Sequence, residues 1–207
     1  MRPWIGFSAA TTRSARLAAG VAIALALAGC TTAPAYLPTA PRFEGTPVWQ
    51  VAADRIEIEV APEVTPPEPA VAARLAEPPL ATAKRWPAAR LRTSPGARGT
   101  VVYRIERAEA TERYLPRKSG VTATFANNAE AELTVAFTVA ISETDALGTR
   151  RGTARAEASV TGTLREKADE DDHRKLWERL MRDAAERLDK ELQAQVPNAL
   201  RSAGQIE

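Results

Sequence analysis

Two side chains with strong potential for chemistry occur once each in this sequence, Cys30 and His173. A cysteine thiolate is a nucleophile that forms disulfides and binds metals. A histidine acts as an acid, a base or a metal ligand. With one residue of each type, the chain cannot form an internal disulfide or a zinc site of several cysteines and histidines. The function of each residue must therefore be judged from its surroundings.

Cys30 ends a segment with the charge and hydropathy pattern of a signal peptide. An apolar run from Leu17 to Leu27 is too short to span a membrane. The residues before it include three arginines and no acidic residue: Arg2, Arg13 and Arg16. The run is followed by small residues and the cysteine, as Leu27-Ala28-Gly29-Cys30. This sequence resembles the lipobox of bacterial lipoproteins.

The resemblance implies diacylglyceryl transfer to the Cys30 sulfur, cleavage after Gly29 and acylation of the new amine, commonly by palmitate. Residues 1–29 are then a signal peptide, and two or three acyl chains anchor the mature protein durably. Thr31 follows the cysteine, and the sorting rules of such lipoproteins then favour the outer membrane, on its periplasmic face; the inner membrane stays open. The alternatives are an ordinary cleaved signal peptide and a permanent membrane helix.

The length and charge of the remaining chain indicate one domain of near-neutral charge. The sequence has 207 residues, which is typical of one domain once the signal segment is removed. Its 28 basic residues include the three signal-peptide arginines, and 26 acidic residues balance the rest. We therefore expect no nucleic-acid partner.

Residues 30–47 are predicted to be a lipidated tether rich in proline, threonine and alanine. Such a segment prefers an extended polyproline conformation and would hold the domain up to ~50 Å from the bilayer. Residues 48–200 are predicted to form a single domain, and residues 201–207 a disordered tail.

Alternation of apolar and polar residues predicts strands, because successive side chains of a strand point to opposite faces. The predicted strands are 55–60, whose start at Trp49 or Val51 stays open, 100–113, 131–143 and 152–164. The apolar phase of the second segment shifts after Ile105, which predicts a β-bulge near Glu106 or Arg107. Small alanines on one face of the last strand would let a helix pack closely over it.

Apolar residues at three- and four-residue spacing predict two helices. The first covers residues 78–92 and contains Pro87, which would kink it; the alternative is a short helix that ends near Arg85, followed by a second turn. The second covers residues 171–196, with acidic residues at its start and Pro197 as its stop. We expect its apolar stripe to lie in the core: Trp177, Leu180, Met181, Ala184, Leu188, Leu192 and Val196.

The order β-α-β-β-β-α predicts a two-layer α+β domain. Its four-stranded, largely antiparallel sheet carries both helices on one face, because each helix has a single apolar stripe to bury. This order is similar in topology to accessory lipoproteins of lipopolysaccharide assembly or ABC-type lipid transport. Four short stretches also resemble a group of alpha-proteobacterial envelope lipoproteins of unassigned role: Lys84-Arg85-Trp86, Ala89-Arg90-Leu91-Arg92, Leu115-Pro116-Arg117 and Phe125-Ala126-Asn127.

The surroundings of His173 do not favour catalysis. Charged residues flank it at the start of the second helix, so we expect a solvated surface side chain. The acidic residues beside it suit the helix dipole. The sequence contains no zinc or EF-hand spacing and no glycine-rich phosphate loop. We therefore expect no enzyme activity, no cofactor and no metal.

The segment from Tyr114 to Asn128 is the candidate contact surface. It combines apolar side chains with two cations: Tyr114, Leu115, Arg117, Lys118, Val121 and Phe125. Such a set suits a lipid, an anionic head group or a protein partner. A hairpin loop folded onto its own sheet edge is the alternative, and the open edges of the sheet are a second route to a partner.

The sequence thus predicts a non-catalytic periplasmic lipoprotein, anchored through Cys30, that acts by contact with another envelope component. The alternative is a module that binds a lipid or small amphiphile between the helices and the sheet. That alternative requires a cavity of roughly 300 Å³ or more.

Overall fold

The computed structural model describes residues 36–45, 47–116 and 129–200, together with the backbone of 204–206. Cys30 and four residues of the candidate contact surface lie outside this part of the chain: Arg117, Lys118, Val121 and Phe125.

The described elements form an α+β fold, as predicted. They follow in the order β1 Val48–Val51, β2 Arg55–Val60, α1 Pro69–Ala72, α2 Pro79–Arg90, β3 Leu91–Thr93, β4 Thr100–Tyr114, β5 Ala129–Thr144, β6 Arg150–Arg165, α3 Glu170–Ala199 and β7 Gly204–Ile206. The main sheet has the strand order β2-β4-β5-β6. Strand β2 runs parallel to β4, and the other neighbours are antiparallel, so the largely antiparallel sheet is confirmed.

The three long strands carry the predicted alternation into the core. Leu133, Val135 and Phe137 of β5 are buried, because β5 lies in the interior of the sheet and this face is covered by helices. The pairing of β4 with β5 shifts register between Ile105 and Arg107, which confirms the predicted bulge.

The predicted strand 55–60 is confirmed as β2, but it does not extend back to Trp49 or Val51, because residues 48–51 form the separate strand β1 in another sheet. Strand β1 belongs to a small sheet of order β3-β1-β7, in which it runs parallel to β3. Strand β2 forms an edge of the main sheet, and its Ile58 and Val60 side chains remain 43% and 39% exposed. The half-buried face predicted for this segment is therefore largely exposed, since α2 and α3 pack over β4, β5 and β6.

Residues 204–206, predicted to lie in a disordered tail, pair through their backbone with β1. Three residues are too few for an alternating pattern to show in the sequence.

Both long helices continue through a proline. Helix α2 includes Pro87 and ends at Arg90, so the alternative of a helix ending near Arg85 is wrong. Helix α3 runs past the predicted stop at Pro197, and the Leu200 amide still donates to the Val196 carbonyl at 2.8 Å. A proline in the last turn removes one hydrogen bond without ending the turns before it.

The small residues of β6 allow α3 to lie close to the sheet, as predicted. Gly152 is in contact with the end of α3, where an added Cβ would lie 2.1 Å from the Ala199 carbonyl oxygen. At Gly162 an added Cβ would meet only the ends of the Leu176 and Leu180 side chains, 3.1 and 3.2 Å away.

We expect Gly152→Ala to lower the free energy of unfolding by about 1–3 kcal/mol, since overpacking against a backbone atom displaces the helix. Chemical denaturation measures this change. The matched variant Gly162→Ala should cost less, because a leucine side chain can rotate away. Equal effects at both glycines would contradict the close seating of α3 on β6.

Candidate functional site

A largely buried ion pair joins Arg90, at the end of α2, to Asp189 of α3, with the two side chains 3% and 15% exposed. Arg90 Nε donates to Asp189 Oδ1 at 3.0 Å, and Arg90 Nη2 donates to Oδ2 at 2.6 Å. Trp86 Nε1 donates to the same Oδ1 at 2.8 Å. This bidentate geometry is the strongest form of an arginine–carboxylate contact. It joins the two helices across the core.

The same guanidinium group also holds the chain segment that precedes β1. Arg90 donates to the backbone carbonyls of Glu44 and Gly45. Arg85 donates to the Pro41 carbonyl at 2.5 Å, and the Tyr36 hydroxyl donates to Glu178 of α3. The free tether predicted over residues 30–47 is therefore wrong for residues 36–45. A proline-rich segment leaves its carbonyl groups without internal partners, and the arginines of α2 supply the donors.

His173 contributes to a second charged cluster at the start of α3. Its Nε2 lies 3.4 Å from Glu112 Oε1, and its Nδ1 lies 3.1 Å from the Asp169 carbonyl oxygen. Arg74 Nη1 contacts the other Glu112 oxygen at 2.9 Å. The His173 side chain is only 13% exposed, so the expectation of a solvated histidine is wrong. Both ring nitrogens thus lie close to acceptor oxygens of the protein, and these contacts hold the ring in place.

Arg74 extends this cluster to the first turn of α3. Its Nε donates to Glu170 Oε1 at 3.1 Å, and this hydrogen bond lowers the pKa of Glu170. The carboxylate of Glu170 also lies at the positive end of the helix dipole. The cluster therefore fastens the turn after α1, strand β4 and helix α3 to one another.

Tyr103 of β4 lies beside the Arg90–Asp189 pair. Its ring stacks on Trp86 with a centroid separation of 5.6 Å, and its hydroxyl has no hydrogen-bond partner among the described residues. Burial raises the pKa of Tyr103, and the negative charge of Asp189 raises it further. The ordinary pKa of a tyrosine is about 10. The raised pKa therefore keeps the phenol of Tyr103 neutral at pH values above 10.

A raised pKa means that the native state retains the Tyr103 proton after the unfolded chain has lost it. The contribution of Tyr103 to the free energy of unfolding is therefore fully present below about pH 10 and decreases as the pH rises further. We expect Tyr103→Phe to be as stable as wild type near pH 7 and to gain on it by up to about 1.4 kcal/mol per pH unit above pH 10. Denaturant titrations over this range test the prediction. Tyr114→Phe, at an exposed site, is the control, and the same trend in both variants would contradict it.

The structure describes two residues of the candidate contact surface. Tyr114 ends β4 and is 66% exposed, and Leu115 is half-buried. The Leu115 amide donates to the Glu130 carbonyl at 2.9 Å, so pairing with β5 continues one residue beyond β4. Tyr114 pairs with Ala131, and Ala129 pairs with Arg165 at the end of β6. This end of the sheet therefore also holds the turn from β6 into α3.

A cleft of about 420 Å³ lies at that turn, between the end of β6 and the first turns of α3. Four exposed cations line it: Arg165, Lys167, Lys175 and Arg179. The lining also includes the carboxylates of Glu166 and Asp172 and the side chains of Leu164 and Leu176. We call this feature the cationic cleft.

The cationic cleft is not predicted by the patterns of the sequence described above. The sequence does contain a signal for the cleft. Arg165 and Lys167 lie two residues apart just after the last predicted strand, and Lys175 and Arg179 lie one helical turn apart. Only the turn between β6 and α3 brings the two pairs together. Lys167 lies in that turn with a positive φ of 70°.

Within the described residues, no group of three or more histidine, cysteine, aspartate or glutamate side chains is arranged to hold a metal ion. Across the same ranges, no helix has the length and apolar character needed to cross a membrane.

Comparisons with known proteins gave low similarity. No family profile matches the sequence, and no curated protein matches it. A minor lipoprotein from Acinetobacter baumannii is 13% identical, with a TM-score of 0.37 over 74% of this chain and 96% of that chain. Rare lipoprotein B from Shewanella oneidensis is 12% identical, with a TM-score of 0.34 over 69% and 96%. A lipoprotein from Caulobacter crescentus is 17% identical, with a TM-score of 0.29 over 69% and 90%. Similarity at this level carries no argument, so the function is inferred from the residues of this chain.

Proposed function

We propose that this chain is a non-catalytic lipoprotein of the bacterial envelope that acts by contact with another envelope component, a protein. Acyl chains on Cys30 hold it on the periplasmic face of the outer membrane. The observation that carries the proposal is the sequence Leu27-Ala28-Gly29-Cys30 behind a basic and apolar segment.

The docked segment 36–45 supports the same proposal. Tyr36 is bonded to α3, and only five residues, six Cα–Cα steps, separate it from Cys30. At a maximum rise of about 3.6 Å per residue, this linker spans no more than ~22 Å. An anchored domain on so short a linker stays beside the membrane, where the surfaces of other envelope proteins are within reach.

The contacts that the titratable side chains of the domain make with one another and with the backbone support a structural role for them. Arg90 and Asp189 hold the helices and the segment before β1, and His173 is fixed between Glu112 and the backbone. We therefore propose that contact, not catalysis, is the activity of this protein. The candidate contact surface around the exposed Tyr114 is the proposed site, with the free edges of the sheet as a second one.

Detergent partitioning tests the anchor. We expect the wild-type protein to enter the detergent phase together with the membrane fraction, and the Cys30→Ser variant to lose its acyl chains and change its processing. Mass spectrometry of the mature N-terminus should show acylated Cys30. A mature wild-type protein without acyl groups that behaves as a soluble periplasmic protein would contradict the anchor.

Crosslinking in cells followed by mass spectrometry tests the contact. Wild type is compared with Phe125→Asp and Arg117→Glu in the candidate contact surface, and with Arg98→Glu near the start of β4, a control with the same charge change as Arg117→Glu. We expect a protein partner that is lost in the first two variants and retained in the control. Retention of the partner in all variants would exclude this surface.

The alternative function is the binding of a lipid or small amphiphile between the helices and the sheet. Large side chains occupy that layer, including fully buried Trp86 and Trp177. Two clefts of more than 300 Å³ lie outside it, at the turn from β6 to α3 and on the outer face of the sheet. Co-purified lipid without a protein partner would favour the binding module over contact with a protein.

A further inference from the structure

The proposed function leaves open which side of the domain meets the bilayer, and the cationic cleft addresses this question. Arginines elsewhere in the described chain commonly have carboxylate partners, such as Arg107 with Glu109 and Arg155 with Glu106. Within the described residues, none of the four cations of the cleft forms an ion pair. Lys175 only approaches the ring of Tyr36, with Nζ 5.7 Å from the ring centroid.

The cleft carries an excess of positive charge on a nearly neutral domain. Two carboxylates, Glu166 and Asp172, line it beside the four cations. The side chains of Leu164 and Leu176 add apolar surface to the same lining. A cleft with an excess of basic groups and some apolar lining fits a ligand that has an anionic group next to a hydrocarbon part.

Tyr36, the first described residue of the chain, lies beside the cleft. Tyr36 contacts Lys175 in the lining of the cleft and Glu178 in the next turn of α3. The linker of five residues, six Cα–Cα steps, allows at most ~22 Å between Tyr36 and Cys30. Strand β5, with 16 residues, extends over about 53 Å, so the opposite end of the sheet can lie much farther away.

We propose that the cationic cleft binds the phosphate head groups of anionic phospholipids in the membrane that carries the anchor. The proximity argument rests on the proposed lipidation of Cys30, whereas the charge and shape of the cleft do not. Binding there orients the domain with the β6–α3 turn towards the bilayer. The acyl chains supply attachment, and the cleft supplies orientation.

Vesicle flotation tests this inference without the anchor. The protein is the mature chain from residue 30 with Cys30→Ser, which retains every described residue and carries no acyl chain. Vesicles of phosphatidylcholine with phosphatidylglycerol are compared with vesicles of phosphatidylcholine alone. We expect binding to the anionic vesicles only, weakening as the salt concentration rises.

Two pairs of arginine substitutions supply the matched comparison. Arg165→Gln with Arg179→Gln removes two charges from the cleft, and Arg98→Gln with Arg150→Gln removes two exposed charges from the opposite end of the sheet. We expect about a thirtyfold loss of vesicle affinity for the first pair, from the usual contribution of a basic residue near an anionic surface. We expect less than a threefold loss for the second pair.

Three outcomes would overturn the inference. The first is an equal loss in both pairs, which indicates a general charge effect. The second is an absence of binding to anionic vesicles, and the third is complete displacement by inorganic phosphate at constant ionic strength, which indicates a site for a small anion. Each of these results leaves the detergent-partitioning test of Cys30 unaffected, so a failure of the cleft is distinguishable from a failure of the anchor.

Discussion

Leu188→Asp is expected to lower the free energy of unfolding by about 5 kcal/mol or more. The Leu188 side chain is 0% exposed, in the face of α3 that packs on the sheet. Removing a buried leucine costs about 2–5 kcal/mol, and burying a carboxylate without a partner adds to that cost. Because a domain of this size is stable by about 5–15 kcal/mol, most of the variant should be unfolded in circular dichroism and sensitive to protease.

Two further variants keep this prediction measurable. Leu188→Ala should remain folded and lose about 2–5 kcal/mol in chemical denaturation. Ala194→Asp introduces the same charge on the exposed side of α3 and should change stability by about 0.5 kcal/mol. A melting temperature of Leu188→Asp equal to that of wild type would show that α3 does not dock on the sheet.

Asp189→Ala is expected to cost about 3–5 kcal/mol, since it leaves the buried guanidinium of Arg90 without its carboxylate. The Trp86 indole N–H loses its acceptor in the same variant. The backbone carbonyls of Glu44 and Gly45 remain as partners of Arg90, which places the expected loss at the lower end of this range. Equilibrium denaturation in urea measures it.

A double variant separates the ion pair from the packing around it. Arg90→Met combined with Asp189→Leu removes both charges, and we expect it to be more stable than Asp189→Ala, because no buried charge is left unpaired. Glu157→Ala, which removes one member of an exposed pair with Arg155, should change stability by less than about 1 kcal/mol. An effect of Asp189→Ala as small as that of Glu157→Ala would refute the structural role of the pair.

Local patterns were sufficient to predict the long strands, the bulge and the core face of α3. Alternation in β5 places Leu133, Val135 and Phe137 on one side whatever the tertiary structure is, and the shift of phase after Ile105 marks the bulge directly. The stripe through Trp177 and Leu188 reports burial in the same way.

The features that sequence reasoning missed depend on contacts between distant parts of the chain. Segment 36–45 has the composition of a linker, and contacts with distant residues hold it on the helices, from the donors of Arg85 and Arg90 and from Tyr36 to Glu178. The same applies to His173, whose partner Glu112 is 61 residues earlier in the chain and lies on β4. The cationic cleft likewise forms from two pairs of residues on either side of a turn. Spacing along the sequence contains no information on such pairings.

The parallel pairing of β2 with β4 determines how the sheet opens. Arg55 lies opposite Thr100, so the pairing of β2 closes a loop that contains the whole crossover through α1, α2 and β3. Strands β5 and β6, in contrast, are joined by a short turn that Asp145 closes through hydrogen bonds to the Leu147 and Thr149 amides. Closing a longer loop costs more entropy, and the exposed side chains of β2 contribute little burial in return.

Amide hydrogen exchange should therefore be fastest, within the main sheet, along β2 and along the side of β4 that pairs with it. Each such opening removes β2 as the edge strand and presents the unpaired backbone of β4 instead. A partner that adds a strand to this sheet would thus have two successive edges available, one in the resting state and one in a transiently opened state.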